Sequence, residues 1–166
     1  MKVNLIAVLS VNGKISRSNN VSIDWNSKED LEWFKDITKN IGVVILGRRT
    51  FETFKSPLKG RLNIVMTRSP LKSWRDDLIF TSSSPGQILE MIGKLGYTQT
   101  AVIGGQEIFT LFMREKLVDD LYITYEPILI DGIDLLSQIQ TDVKLKLIDM
   151  KMLNSQTFMV HYAILY

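Results

Sequence analysis

The chain has 166 residues, 45% hydrophobic and 23% charged, with a net charge of +2. That length suits one domain whose core needs no staple, and the near-neutral balance argues against a nucleic-acid binder with a strong basic stripe. There is no cysteine and one histidine, His161, which excludes disulfides, thiolate catalysis, Cys-ligated zinc and a His-rich metal centre. Neither a signal peptide nor an apolar run long enough for a bilayer is legible, so the expectation is a cytoplasmic protein with no membrane partner.

Residues 3–11, "VNLIAVLSV", form a short apolar run that reads as a strand buried on both faces. Asn12-Gly13 marks a turn, and the polar, aperiodic residues 16–24 read as a mobile loop. A helix follows, with Ser27 as its N-cap and Leu31, Phe34, Ile37, Thr38 and Ile41 as its apolar stripe. "GVVILG" (42–47) predicts a second buried strand, "RRTFETF" a short helix, "SPLKGR" a turn and "LNIVMTR" (62–68) a third strand. "LIFTS" predicts a fourth strand, residues 84–97 a helix begun by Ser84-Pro85, "TAVIGG" a strand and "QEIFTLFMREKL" a helix. Three strand-like segments close the chain: "DDLYITYEPILI", "KLKLIDMKML" and "QTFMVHYAILY". Strands alternating with helices predict an α/β fold with a mainly parallel sheet covered on both faces, and the tail predicts an antiparallel edge. Ligands of such sheets sit beyond the carboxyl ends of the strands.

Asp30 is the residue that does not fit a plain core helix. It lies three residues after Ser27, a capping-box spacing, so it could simply satisfy the helix start. It also lies one turn before Phe34 on the apolar side, where a carboxylate must find a partner or shift its pKa. That makes it a candidate ligand or catalytic group. "AVIGGQEIF" is strand, Gly-Gly, then helix, a place where backbone amides attract anions. "LGRRT" (46–50) and "TRSP" (67–70) put arginines just after two other strands. Three strand ends, each with a phosphate-suited group, suggest a nucleotide with more than one phosphate. Arg61 could be a turn residue or a bidentate carboxylate clamp. His161, in an apolar strand, reads as structural, and "KLKL" as a solvated face.

Together "LIAVLSVNGKI", "WNSKEDLEWFK", "LGRRTFETF", "PLKGRLNIVMTR", "VIGGQEIFTLF" and "LYITYEP" resemble bacterial dihydrofolate reductase, in order and spacing, over essentially the whole chain. The riboflavin-biosynthesis reductases share the fold. The resemblance implies one domain over residues 1–166, with a central mixed, mainly parallel eight-stranded sheet flanked by helices. It also implies NADPH-dependent reduction of dihydrofolate to tetrahydrofolate, by a monomer or homodimer. By matching position, Asp30 and Thr124 are the implied catalytic pair, Asp30 bonding the pterin and Thr124 supporting it. Ile6, Ala7, Phe34 and Arg61 are implied in substrate binding, Arg61 as the clamp on the glutamate carboxylate. Implied cofactor positions are Ala7, Ile15, Gly47, Arg48, Arg49, Thr50, Thr67, Arg68, Ile103, Gly104, Gly105, Gln106, Glu107 and Ile108, with Gly104-Gly105 joined by a cis peptide. Trp25 matches the end of a loop that closes over the nicotinamide. This chain departs from the pattern at Ile23-Asp24 before Trp25, at Ser16 for a frequent glycine, and at Phe109 for a frequent tyrosine. Two alternatives remain open: a stand-alone reductase of the riboflavin pathway, acting on 5-amino-6-(5-phosphoribosylamino)uracil, and a non-catalytic NADPH-binding module.

Overall fold

A computed structural model describes residues 1–69 and 71–166; Pro70, the last residue of "TRSP", lies outside the described residues. In chain order the elements are β1 (Lys2–Ser10), β2 (Lys14–Ser16), α1 (Lys28–Ile41), β3 (Val43–Gly47), α2 (Arg48–Thr53), β4 (Leu62–Met66) and β5 (Leu78–Thr81). Then follow α3 (Pro85–Lys94), β6 (Gln99–Gly104), α4 (Gln106–Arg114), β7 (Asp120–Glu126), β8 (Ile133–Asp134), β9 (Lys144–Met152) and β10 (Phe158–Leu165).

Eight strands form one sheet in the order β5-β4-β3-β6-β1-β7-β10-β9. From β5 to β7 all neighbours are parallel, while β10 runs antiparallel to both β7 and β9. The fold is therefore α/β, with the mainly parallel sheet and antiparallel edge that the strand–helix alternation and the tail predict and the eight strands that the resemblance implies. Helices α1, α2, α3 and α4 lead into β3, β4, β6 and β7 and carry the chain back to the end of the sheet where parallel strands start.

The side-chain period of two divides the strands between two cores. From β1 and β3, Val3, Leu5, Val43 and Ile45 enter one cluster with Ile88, Ile92 and Phe112 of α3 and α4. Their neighbours Ile6, Val44 and Leu46 enter the other, packed by Trp33, Phe34 and Ile37 of α1 and Phe51 of α2. Sequences apolar at consecutive positions are thus consumed on both faces. The helices start where expected. Ser27 Oγ accepts from Asp30 N at the head of α1, and Ser84 with Gln87 completes a capping box at α3.

Three differences from the expectation are local. Lys14–Ser16 falls at the edge of the stretch read as loop, yet it pairs with β8 in a separate two-stranded sheet. Neither strand shows a pattern, because two or three residues cannot display a period. Third, β7 stops at Glu126 instead of running to Ile130: Pro127 offers no N–H to the ladder, and Ile128 N turns back to Glu126 O at 2.8 Å. No helix among the described residues is long and apolar enough to cross a membrane.

Candidate active site

The carboxyl ends of β1, β3, β4 and β6 open into one cleft, ringed by α1, α2, α4 and residues 16–23. Its volume is about 1690 Å³, above the roughly 300–1,000 Å³ of a pocket for one drug-sized molecule. There is room for two ligands side by side.

Asp30 lines this cleft and is only 4% exposed. It sits in the first turn of α1, where its N–H bonds Ser27 Oγ at 3.2 Å, so the capping role is real. Its side chain does something else. Asn26 Nδ2 donates to Asp30 Oδ2 at 2.9 Å. Among the described residues, Oδ1 accepts no hydrogen bond. Thr124, fully buried on the adjoining strand, has its hydroxyl close enough to favour the charged carboxylate, but without the geometry of a completed hydrogen bond. Burial pushes the Asp30 pKa above its ordinary 3.8; Asn26 and Thr124 pull it back in part, and the charge of Glu126 pushes it further up. A buried carboxylate with one dedicated donor is poised for a ligand that brings more donors.

Ile6 and half-buried Ala7 from β1 and Phe34 from α1 wall the cleft around Asp30. Leu31 belongs to the apolar stripe but is 54% exposed, because it faces the open cleft instead of the sheet. Arg61 is 7% exposed and not part of the wall. Its guanidinium donates to Thr38 Oγ1 (2.8 Å) and, by Nε and Nη2, to Lys59 O (3.1 and 2.9 Å). These three bonds leave two of its five N–H groups without a partner among the described residues. Burial also lowers its pKa below the ordinary guanidinium range. Trp25 is half-buried, with its indole N–H buried and without a partner among the described residues, and it does not reach the cleft wall.

The far half of the cleft is built differently. Gly47 ends β3, and the cis-joined pair Gly104-Gly105 ends β6. Gly104 has φ +127°, a backbone region that side chains rarely adopt. At Gly105 an added Cβ would stand 3.0 Å from Thr50 Oγ1, and at Gly47 3.0 Å from Ile108 Cγ1. The absent side chains leave a cradle at the N-terminus of α4, whose cap Gly105 supplies no side-chain bond. Around it stand Arg48, paired with Glu52 at 2.7 Å, and Arg49, paired with Glu107 at 3.1 Å. All four side chains are at least 43% exposed, so these pairs are weak and exchangeable. Thr67 and exposed Arg68 follow β4 on the same rim, and Ile15, Ile103 and Gln106 complete the wall. Donors, arginines and a side-chain-free cradle fit the phosphates of a dinucleotide. Phe109, 2% exposed, packs under Gly104 at 3.5 Å from its Cβ position. Its ring fills space that a phenol would share with a hydroxyl.

Two residues escaped the sequence analysis. Asn26, four before Asp30, is its partner. Glu126 is 4% exposed and accepts from Ser27 N (2.6 Å) and Thr157 Oγ1 (2.7 Å). The strand period was the available signal for Glu126, since it shares a face of β7 with Thr124. His161 lies away from the cleft. It stacks on Tyr122 at 4.1 Å, with Nε2 3.2 Å from Asp120 Oδ2, at the end of the sheet where Lys2 meets the same oxygen. Among the described residues no three His, Cys, Asp or Glu side chains converge on a metal position.

Fold and cleft define the class: a mixed-sheet α/β protein with a two-part ligand cleft at the carboxyl strand ends. Comparison with known proteins carries this further. The dihydrofolate reductase family model matches residues 2–152, and the chain belongs to that family of oxidoreductases. It is 36% identical to the dihydrofolate reductase of Buchnera aphidicola, over 80% of this chain and 76% of that one. It is 34% identical to dihydrofolate reductase type 3 of Salmonella typhimurium, over 75% and 72% of the two chains, and 32% identical to the Bacillus subtilis enzyme, over 74% and 67%. A crystal structure from a Shewanella species, of a protein ascribed to riboflavin biosynthesis, superposes over the full length of both chains with a TM-score of 0.79 and 16% identity. At that identity the likeness is one of fold.

Proposed function

We propose that this chain reduces 7,8-dihydrofolate to 5,6,7,8-tetrahydrofolate with NADPH, as one catalytic unit over residues 1–166 acting in the cytoplasm. The observation that carries the reading is Asp30, a buried carboxylate with one side-chain donor, set in the wall of a cleft large enough for two ligands. The ring N–H and amino group of a pterin supply the donors it lacks. Asp30 thereby orients the ring, held in turn by Asn26 and Thr124, while Ile6, Ala7 and Phe34 exclude water from its faces. The two spare N–H groups of Arg61 suit a carboxylate at the far end of the substrate.

Gly47, Gly104, Gly105, Arg48, Arg49, Thr50, Thr67 and Arg68 would hold NADPH, with Ile15 and residues 103–108 along its length. Bound there, NADPH supplies the hydride for the C=N bond of the pterin. The protein's own contribution is alignment of the two rings and the field of Asp30. Its negative charge favours the protonated ring nitrogen next to the carbon that is reduced, without contact to that nitrogen.

The full-length fold match to the Shewanella protein motivates a second reading, a pyrimidine bearing a ribosyl phosphate, with Arg61 on the phosphate. The test follows NADPH absorbance with purified protein and either substrate. Oxidation with dihydrofolate, abolished in Asp30→Asn, supports the proposal. Oxidation with the pyrimidine alone replaces it with the second reading. NADPH binding without either reaction leaves a binding module and overturns both.

A further inference from the structure

The β9 strand is an anomaly in this fold: all nine of its residues are exposed, although five are large and apolar. Leu145, Leu147, Met150 and Met152 are 42%, 58%, 60% and 54% exposed. They lie opposite Ile164, Tyr162, Val160 and Phe158 of β10, so all four share one face of the sheet. That face continues the core cluster of α3 and α4, in which Tyr162 and Ile164 take part. The four charged residues, Lys144, Lys146, Asp149 and Lys151, pair with Leu165, Ala163, His161 and Met159 and therefore occupy the opposite face. The strand is amphipathic with period two, yet nothing among the described residues covers its apolar side.

We propose that this face is the interface of a homodimer, in which the β9–β10 sheets of two copies pack face to face about a twofold axis. The area suits a second copy. The exposed part of the patch amounts to roughly 500 Å² per molecule, the upper end of what monomers leave bare. Doubled by symmetry, it reaches about 1,000 Å², the lower bound for a specific interface. The face carries no charge that would select an oppositely charged partner, and burying it desolvates no ion. Face-to-face packing turns both lysine faces outward, so like charges stay apart. Edge-to-edge pairing is disfavoured, because Ile148 is the unpaired residue of a bulge and lysines flank it. The methionines adapt their shape to a twofold contact. No residue of β9 or β10 lines the cleft, so dimerisation leaves it open and the inference is independent of the proposed reaction.

Sedimentation velocity of the full chain over a concentration series tests this. The expected result is a saturating monomer–dimer equilibrium with a dissociation constant in the micromolar range, suited to a small interface. Met150→Glu weakens it about 100-fold or more, since a charge would be buried without a partner. Met150 is exposed in the monomer, so the variant keeps the wild-type circular dichroism and, at concentrations well below the wild-type dissociation constant, the wild-type melting profile. A wild-type chain that stays monomeric at high micromolar concentration overturns the proposal. So does a dimer that Met150→Glu leaves intact, or a series of ever larger species, which would signal open-ended edge pairing.

Discussion

The two halves of the cleft handle charge in opposite ways. Around Asp30 a single carboxylate is 4% exposed, has one side-chain donor, and carries a pKa raised by burial. Around the glycine cradle, Arg48 and Arg49 are exposed, and each is engaged by a glutamate that it can release at little cost. A buried charge is expensive and therefore selective, because only a ligand with matching donors compensates it. An exposed charge is cheap and general, and suits phosphates, which bring their own strong field. The lesson is a division of labour. On the proposed function, the Asp30 half would supply specificity from a few desolvated contacts, and the glycine cradle would supply affinity from many shallow ones.

Breaking the buried half gives the largest effect. Asp30→Asn lowers turnover with dihydrofolate by about 100- to 1,000-fold, the usual consequence of losing a preorganised electrostatic group, while NADPH affinity measured by fluorescence titration stays unchanged. The same substitution has an opposite effect on the apo fold. A carboxyl whose folded pKa lies above its ordinary value contributes stability that is fully present below about pH 3.8 and is lost as pH rises through the raised value. Asp30→Asn is therefore expected to raise the melting temperature at neutral pH, an advantage that fades in acid. Melting curves at several pH values decide it.

The shallow half breaks less sharply. In Gly105→Ala the new methyl meets Thr50 Oγ1 at 3.0 Å and fills the cradle; NADPH affinity falls roughly tenfold, as expected for about 1.4 kcal/mol of lost contact. Arg68→Ala lowers NADPH affinity several-fold and NADH affinity hardly at all, if its charge serves the extra phosphate; equal losses would remove Arg68 from that role. Smaller still is Glu126→Gln. The charge of Glu126 raises the Asp30 pKa, so the variant titrates Asp30 at lower pH. Carbon-13 NMR of that carboxyl reads the shift directly, and an unmoved titration would show that the two carboxylates do not communicate.

Much of this was legible in the residue order. Apolar runs such as "VNLIAVLSV" and "GVVILG" announce strands buried on two faces, because no solvated face interrupts them. Asp30 stood out because a carboxylate on an apolar stripe violates the pattern around it, and Gly104-Gly105 because a strand met a helix with no side chain between. The partners of Asp30 were harder. Asn26 sits in an irregular stretch before the helix, and Glu126 is 96 residues further along the chain.

What the sequence by itself determined is the alternation of strands and helices, the class of the sheet, and which residue types reach its carboxyl ends. These follow from local rules: a period of two or 3.6, caps, and breakers. What only the tertiary structure decided is which distant groups meet and which surfaces stay bare. Thr124 comes beside Asp30 through the sheet, Arg61 turns onto Thr38 and Lys59, and β9 reaches the edge with its apolar face uncovered. Strand order creates those neighbours. No local pattern encodes it, because it arises from the packing of the whole chain.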